Sequence, residues 1–255
     1  MERITSSKNP SIQRLRSLHS AKGRRAANRF LVEGEVMIRE ALKCGLRIDE
    51  AAAEDAQTSF AGELEAAGAR VYLVPRNLLE SVCETQTPQG VCASFDMPKP
   101  LSEEKLPDRI VALDGVQDPG NVGTIWRTAD AAGFQAMLVG AGSADVLSPK
   151  VQRAAMGSGF RIPFVPAENL AETLGRLRGK GYRVIASDLH GSCFYDRPDM
   201  GDKFVLVIGN EAKGISPQVF AQADIRLKLP MRGGAESLNA AVAAGIMMYE
   251  LMKDQ

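Results

Sequence analysis

Three glycine-rich loops carry the polar side chains of this sequence that are best suited to chemistry, and each follows a predicted strand. The first loop leads into a helix with Asn121 and Arg127, the second contains Glu211, and the third contains Ser237 and Asn239. A carboxylate, two amides, a hydroxyl and a guanidinium can bind a polar ligand and stabilise charge on it. Ligands of parallel sheets collect beyond the carboxyl ends of the strands, so we expect these loops to form one site.

Arg127 lies on the helix predicted after the first loop, on the side away from the apolar residues of that helix. At ~100° per residue, it lies roughly 160° from the middle of the stripe formed by Val122, Ile125, Trp126, Ala129 and Ala132. We therefore expect Arg127 to point away from the core and Asn121 to cap the helix. The alternative interpretation is a cap, a tight turn and a solvated arginine with no further role.

The second and third loops do not match the common nucleotide-binding patterns. Ile215 follows Gly214 where a Walker A loop requires Lys, and no strand is followed by GxGxxG. A turn at Gly209 that only caps a helix remains an alternative. In the third loop, Ser237 is predicted to cap a helix that is apolar almost all round, which is typical of a buried helix. Its small residues also suit a subunit interface.

Taken together and in this order, the loops resemble the three motifs of SpoU-type RNA 2′-O-ribose methyltransferases, within the SPOUT superfamily. The first motif is matched by Asn121-x-Gly123-x-x-x-Arg127, and the second by Gly209-Asn210-Glu211-x-x-Gly214. The third is matched by Leu229-Pro230-Met231 with Ser237-Leu238-Asn239. The stretch Ser148–Phe164 is also similar to the family. One departure is Ala240-Ala241, where family members often have Val-Ser.

The resemblance implies an S-adenosylmethionine-dependent enzyme that methylates a ribose 2′-hydroxyl in structured RNA without a metal. The catalytic residues that it implies are Arg127, Asn121, Glu211, Ser237 and Asn239. The cofactor-binding residues that it implies are Gly209, Asn210, Gly214, Leu229, Met231, Ser237, Leu238 and Asn239. The pKa of an arginine, above ~12, makes proton abstraction by Arg127 expensive. Holding the phosphate and lowering the pKa of the hydroxyl is physically easier, although the sequence does not separate these roles.

Short apolar segments alternate with helical patterns after residue 108. Strands are predicted at Arg109–Leu113 and Tyr182–Ser187, for example, and helices at Val122–Ala132 and Leu238–Met252. This alternation predicts an α/β domain with a mostly parallel sheet covered by helices on both faces. The resemblance adds a deep trefoil knot and a homodimer, and neither follows from the hydrophobic periodicity.

Residues 98–108 hold three prolines and a cluster of charges, which predicts a linker between a domain at 1–97 and a domain at 109–255. The first domain is predicted to be a small α/β domain, with a helix at Pro10–Leu18 and a strand at Arg70–Val74. Its segments Ile4-x-Ser6-x-x-Asn9-Pro10 and Phe30–Gly34 resemble the substrate-binding domain of the same family, which is similar to the ribosomal L30e fold.

Basic residues are concentrated at the start of the chain although the formal net charge is zero. Residues 1–29 hold eight basic residues and one acidic residue, whereas residues 30–106 hold seven and fourteen. Such a segment favours contact with RNA phosphates. The residues expected to bind RNA are Arg14, Arg16, Lys22, Arg24, Arg25 and Arg29. The alternative is that this basic arm packs on the acidic segment that follows it.

The remaining composition excludes several classes of protein. Four cysteines without a CxxC pair and two distant histidines predict no zinc site. The first ten residues lack the apolar run of a secretion signal, and the longest apolar run, Ala240–Tyr249, is too short to span a bilayer. We expect a soluble cytoplasmic protein without a membrane partner.

The family resemblance, with the extra N-terminal domain, favours ribosomal RNA, 23S in particular, over transfer RNA as the substrate. A catalytically silent RNA-binding protein of the L30e/SPOUT type is one alternative, and the presence of Arg127, Asn121 and Asn239 counts against it. A different enzyme that uses S-adenosylmethionine or a nucleotide is another. The absence of GxGxxG and Walker A patterns weighs against the commonest versions of that alternative.

Overall fold

The computed structural model describes residues 1–85 and 87–253, and the backbone divides into two compact units. The first unit comprises Met1–Lys99 and Leu147–Phe160, and the second comprises Pro100–Val146 and the residues from Arg161 onward. The strands are β1 (Glu2–Arg3), β2 (Arg29–Glu33), β3 (Ile48–Glu54), β4 (Arg70–Val74), β5 (Val91–Asp96), β6 (Arg109–Asp114), β7 (Ala136–Gly140), β8 (Phe164–Ala167), β9 (Arg183–Cys193), β10 (Phe204–Gly209) and β11 (Ile225–Lys228). The helices are α1 (Pro10–Ser17), α2 (Ala21–Ala27), α3 (Glu35–Lys43), α4 (Thr58–Ala66), α5 (Arg76–Val82), α6 (Pro119–Ala132), α7 (Pro149–Ala155), α8 (Ser158–Arg161), α9 (Leu170–Gly179), α10 (Pro217–Phe220) and α11 (Ala240–Met252).

The first unit is built on a five-stranded mixed sheet in the order β1-β4-β3-β5-β2. The strands β1, β4 and β3 pair in parallel, whereas β3–β5 and β5–β2 are antiparallel. Helix α1 contributes Ile12 and Leu15 to the core of this unit, and Leu18 follows at its end. The N-terminal basic segment is therefore part of the folded unit and not a free arm.

Three strands of this unit, β1, β2 and β3, have no counterpart among the elements predicted from the sequence. The segment Ile48–Glu54 reads IDEAAAE, and Ala and Glu are depleted in strands. Its position between β4 and β5 buries three consecutive alanines, Ala51, Ala52 and Ala53. Tertiary burial, and not local propensity, makes this segment a strand.

The second unit contains a six-stranded sheet in the order β11-β9-β10-β6-β7-β8, and every neighbouring pair is parallel. The prediction of an α/β domain with a parallel sheet flanked by helices is confirmed. The central strands β6 and β10 are almost fully buried, as expected for parallel strands with both faces covered. Because all the strands run the same way, the loops after β6, β10 and β11 leave from the same edge of the sheet.

The helix α6 is fixed to this unit by Trp126, which is fully buried. The indole Nε1–H donates to the backbone oxygen of Ile162 at 3.1 Å, and the ring meets Phe164 edge-on with centroids 5.9 Å apart. Buried aromatic pairs of this kind contribute both apolar area and a preferred orientation. Trp126 therefore fixes the rotation of α6 about its own axis and, with it, the direction of the polar residues on that helix.

In the described part of the chain, no helix is both long enough and apolar enough to cross a membrane.

Candidate active site

The second and third glycine-rich loops line one cleft of about 620 Å³ at the carboxyl edge of the parallel sheet. This volume lies within the range of about 300–1,000 Å³ that is usual for sites that bind small molecules. The first loop does not line the cleft but contacts the other two loops through Asn121. Every residue that the sequence assigned to cofactor binding lines this cleft: Gly209, Asn210, Gly214, Leu229, Met231, Ser237, Leu238 and Asn239. The candidate catalytic residue Glu211 lines it as well.

A chain of hydrogen bonds connects the three loops through the side chain of Asn121. Its Nδ2 donates to Glu211 Oε1 at 2.9 Å, and its Oδ1 accepts from Asn239 Nδ2 at 3.0 Å. The remaining oxygen of the Asn239 amide accepts from the backbone N–H groups of Ala241 and Val242, at 2.9 and 3.2 Å. Each amide therefore has one orientation that satisfies both of its ends.

Glu211 is held as a carboxylate by three donors. The backbone N–H groups of Gln117 and Asp118 each lie 3.2 Å from its oxygens, in addition to the amide of Asn121. Partial burial raises the pKa of Glu211, but the hydrogen bonds from Asn121 and from the backbone outweigh it, so the net pKa is below the ordinary value. Glu211 is thus charged at neutral pH and acts as an acceptor only.

The helix caps at this site differ from those that the sequence predicts. The prediction that Asn121 caps α6 is wrong: Asp118 is the N-cap and accepts from the Asn121 backbone N–H at 2.8 Å. Pro119 begins the helix because it has no N–H to satisfy and a fixed φ. The prediction that Ser237 caps the last helix is also wrong, because Asn239 is the N-cap of α11. Asn121 is therefore free to join the other two loops.

The second loop turns back on itself at Asn210. The backbone groups of Asn210 and Gly214 exchange hydrogen bonds of 3.0 and 2.9 Å, and Asn210 Oδ1 accepts from the N–H groups of Ala212 and Lys213. Asn210 Nδ2 donates to the Gly115 oxygen at 2.8 Å, which ties this loop to the first one. A Cβ at Gly209 would lie only 2.4 Å from backbone atoms of Gly214 and Ile215, so this close approach requires glycine.

Arg127 is exposed on α6, as the sequence predicts, and it does not line the cleft. Within residues 1–85 and 87–253, no carboxylate or other hydrogen-bonding group lies within bonding distance of its guanidinium. The neighbouring cation on the same unit, Arg161, is by contrast bound to Asp130. An exposed guanidinium without a protein partner can bind an external anion.

The basic residues expected to bind RNA divide into two groups. Arg24 is 3% exposed and donates to the backbone oxygens of Leu18 and His19 at 2.7 Å, so it supports the fold and does not face a ligand. Three others also have partners in the first unit: Arg14 pairs with the buried Glu50, Arg16 with Ser81, and Arg29 with Asp49 and Asp96. Lys22 and Arg25 are exposed on α2.

Two features at or beside the cleft were not predicted from the sequence. Asp118 could have been found from its position directly before Pro119, which is a typical helix start. The segment Ser187–His190 also lines the cleft, but it lies at and just beyond the predicted end of a strand, at Ser187, and carries no recognisable signal. No group of three or more His, Cys, Asp or Glu side chains suited to a metal ion occurs in residues 1–85 and 87–253.

Comparison with known proteins identifies the class. The SpoU rRNA methylase family matches residues 108–249, and the MRM3-like substrate-binding domain matches residues 9–93. This chain belongs to the SpoU rRNA methylase family, so it is an enzyme of the methyltransferase class.

Individual relatives resemble the chain over nearly its whole length. It is 39% identical to the 23S rRNA (guanosine(2553)-2′-O)-methyltransferase RlmP of Bacillus subtilis, over 98% of this chain and 99% of that protein. An AdoMet-bound rRNA methyltransferase from Sinorhizobium meliloti superposes with a TM-score of 0.89 and 32% identity, covering 99% and 98% of the two chains. AviRb from Streptomyces viridochromogenes, in complex with AdoMet, superposes with a TM-score of 0.87 and 29% identity, covering 97% of this chain and 98% of that one.

The close approach at Gly209 predicts a strong effect of a single methyl group. We expect Gly209→Ala to lower the free energy of unfolding by about 1–3 kcal/mol, because the added Cβ must displace backbone. Gly233→Ala is the matched control, since no atom lies within 4 Å of its added Cβ, and its effect should stay within about 0.5 kcal/mol. Urea unfolding measures both. Equal effects of the two variants would contradict the packing described for the second loop.

Proposed function

We propose that this enzyme transfers a methyl group from S-adenosylmethionine to the 2′-oxygen of a ribose in ribosomal RNA, with 23S rRNA favoured over transfer RNA. The observation that carries the proposal is the hydrogen-bonded junction of Asn121, Glu211 and Asn239 beside the 620 Å³ cleft. The names of the Bacillus subtilis and Sinorhizobium meliloti proteins support the same activity and cofactor. The proposed place of action is the cytoplasm, where ribosomal RNA is modified.

The residues of the cleft fit the proposed cofactor. Apolar side chains of Leu229, Met231 and Leu238 face the same space as the polar turn at Asn210, which suits a ligand with both an adenine and charged groups. When bound, S-adenosylmethionine supplies an electrophilic methyl group on a sulfonium centre. The junction of Asn121, Glu211 and Asn239 would fix the loops that hold it, and Ser237 would donate or accept one further hydrogen bond at the rim.

Arg127 is proposed to act on the RNA and not on the cofactor. Its guanidinium is exposed, outside the cleft lining and on the same helix as Asn121. A planar guanidinium binds a phosphate in bidentate fashion and stabilises negative charge on a nearby oxygen. In this proposal Arg127 holds a backbone phosphate and stabilises the ribose 2′-oxygen as its proton leaves to water and the methyl group is accepted.

We expect Arg127→Ala to reduce the single-turnover rate of methyl transfer by about 10²–10³-fold, because a charge-stabilising donor is lost. The thermal midpoint and the Kd for S-adenosylmethionine should stay at their parental values, since Arg127 is exposed and outside the cleft. Arg127→Lys should recover only part of the rate, as Lys lacks the planar fork. The assay uses unmodified 23S rRNA transcripts and maps the methylated nucleotide.

The control for this experiment is Lys180→Ala, which removes an exposed cation elsewhere on the same unit and should leave the rate unchanged. Methyl transfer by Arg127→Ala at the parental rate would contradict the role proposed for Arg127. A parent enzyme that bound S-adenosylmethionine but modified no ribosomal RNA would instead overturn the choice of substrate.

The first unit is proposed to bind RNA through the exposed cations of α2. We expect the double variant Lys22→Gln/Arg25→Gln to bind the RNA more weakly. The slope of log K against log salt concentration should become shallower by roughly one to two units, because each lost phosphate contact removes ~0.7–0.9 from that slope. Point substitutions are needed here, since deletion of residues 1–29 would remove the core residues Ile12 and Leu15. Binding titrations at several salt concentrations measure this slope.

The matched control is Lys43→Gln/Arg47→Gln, which removes two exposed positive charges from the same unit. Its salt slope should stay at the parental value. If both double variants flatten the slope equally, the effect comes from the total charge and the assignment of α2 is wrong.

A homodimer is also proposed, with α11 at its interface. Val242 and Tyr249 are 50% and 55% exposed on one face of this apolar helix, and the partly buried Ile246 lies between them. Tyr195, which is also exposed, lines a small pocket together with Ile246. A second copy of the chain would cover these side chains. The trefoil knot implied by the family resemblance stays a prediction.

We expect Val242→Glu to convert the protein into a monomer, because it buries a charge in this apolar contact. Val36→Glu is the matched control: Val36 is exposed on α3 of the other unit and should not affect assembly. Sedimentation velocity distinguishes the two species. A parent that sediments as a monomer at micromolar concentration would refute the proposed interface.

A further inference from the structure

The strand β9 contains a five-residue excursion that β11 does not share. Ala186 pairs with Arg226, but the next pair joins Ser192 to Leu227, so residues 187–191 leave the ladder while β11 continues without an insertion. We call residues 187–191 the β9 bulge. The excursion ends at Gly191, where a Cβ would lie 2.5 Å from backbone atoms of Arg226, so the return to the ladder requires glycine. Bulges of this kind often redirect side chains next to active sites.

One carboxylate anchors the β9 bulge to the neighbouring strand. Asp188 is largely buried, and its Oδ2 accepts from Arg226 Nε at 3.0 Å while its Oδ1 accepts from the His190 backbone N–H at 3.1 Å. Burial raises the pKa of Asp188, but the hydrogen bonds from His190 and Arg226 outweigh this effect. The net pKa therefore lies below its ordinary value and the carboxylate stays charged. The guanidinium of Arg226 also lies over the Phe220 ring, 5.0 Å from its centroid.

The anchored bulge presents apolar surface to the cleft. Leu189, at the tip of the bulge, is 58% exposed, and both Leu189 and His190 line the same cleft as the second and third motif loops. The exposed Leu238 lies on the third loop of the same cleft. An exposed leucine inside a cleft of this size is available to pack on the apolar part of a ligand.

We propose that Asp188 and Arg226 form a positioning pair that holds the β9 bulge as a side wall of the cofactor cleft, with Leu189 packing on the nucleoside of bound S-adenosylmethionine. This inference rests on the proposed function of the cleft. Neither Asp188 nor Arg226 touches the reacting atoms. Their effect is to keep Leu189 in place, so that less conformational freedom is lost when the ligand binds.

The test compares three single variants of the full chain by calorimetric titration with S-adenosylmethionine. Leu189→Ala should raise the Kd by roughly fivefold, as buried methyl and methylene groups are lost. Asp188→Asn and Arg226→Gln should each raise the Kd by a similar factor, and the double variant should add little, because the two residues act as one unit. The KM for the cofactor should rise in the same way, whereas kcat at saturating cofactor should be unchanged.

The matched control is Arg178→Gln, which breaks a comparable ion pair on the same unit, with Arg178 Nε 2.8 Å from Asp224 Oδ1. It should bind S-adenosylmethionine with the parental Kd. Because Leu189 is exposed, Leu189→Ala tests the wall even if an anchor variant fails to fold. Parental Kd values for Leu189→Ala and Arg226→Gln would overturn the proposal, whereas a parent that does not bind the cofactor would overturn the proposed function and this inference with it.

Discussion

The hydrogen bonds of the Asn121 side chain connect everything else at this site. Its amide lies between the carboxylate of Glu211 and the amide of Asn239, and Asn239 in turn caps α11. These hydrogen bonds fix three loops that are far apart in sequence relative to one another. The donor and acceptor ends of each amide have different partners, so the arrangement is satisfied in one orientation only. The parallel sheet makes the junction possible because it brings the strand ends to one edge.

The cations of the second unit differ in whether a carboxylate pairs with them. Away from the cleft in the second unit, Arg161, Arg176 and Arg178 are bound to carboxylates. At the cleft, Lys213 and Lys228 line the surface, and no carboxylate within the described residues pairs with them. Surface ion pairs contribute little to stability, whereas an uncompensated cation is available to phosphate. In the first unit, much of the N-terminal basic segment forms ion pairs with acidic residues, including Asp49, Glu50 and Asp55.

Sequence patterns located the site better than they described its geometry. The cofactor-binding residues predicted from the motifs all line the cleft, whereas the candidate catalytic residues Asn121 and Arg127 do not. The caps were misassigned, since Asn121 and Ser237 have cap-forming side chains but Asp118 and Asn239 lie at the actual helix starts. Arg24 was expected to bind RNA, but it is buried. A sequence shows which residues are charged and does not show which of them are buried.

The sequence by itself determined the α/β class of the second unit, the three motif loops and the outward direction of Arg127, because these depend on local periodicity and spacing. Only the tertiary structure decided that the alanine-rich segment Ile48–Glu54 is a strand, since its burial depends on the two neighbours with which it pairs. It also decided that Asn121 bridges Glu211 and Asn239, residues 90 and 118 positions away. Contacts over such separations depend on the order of strands in the sheet, which no local pattern of residues specifies.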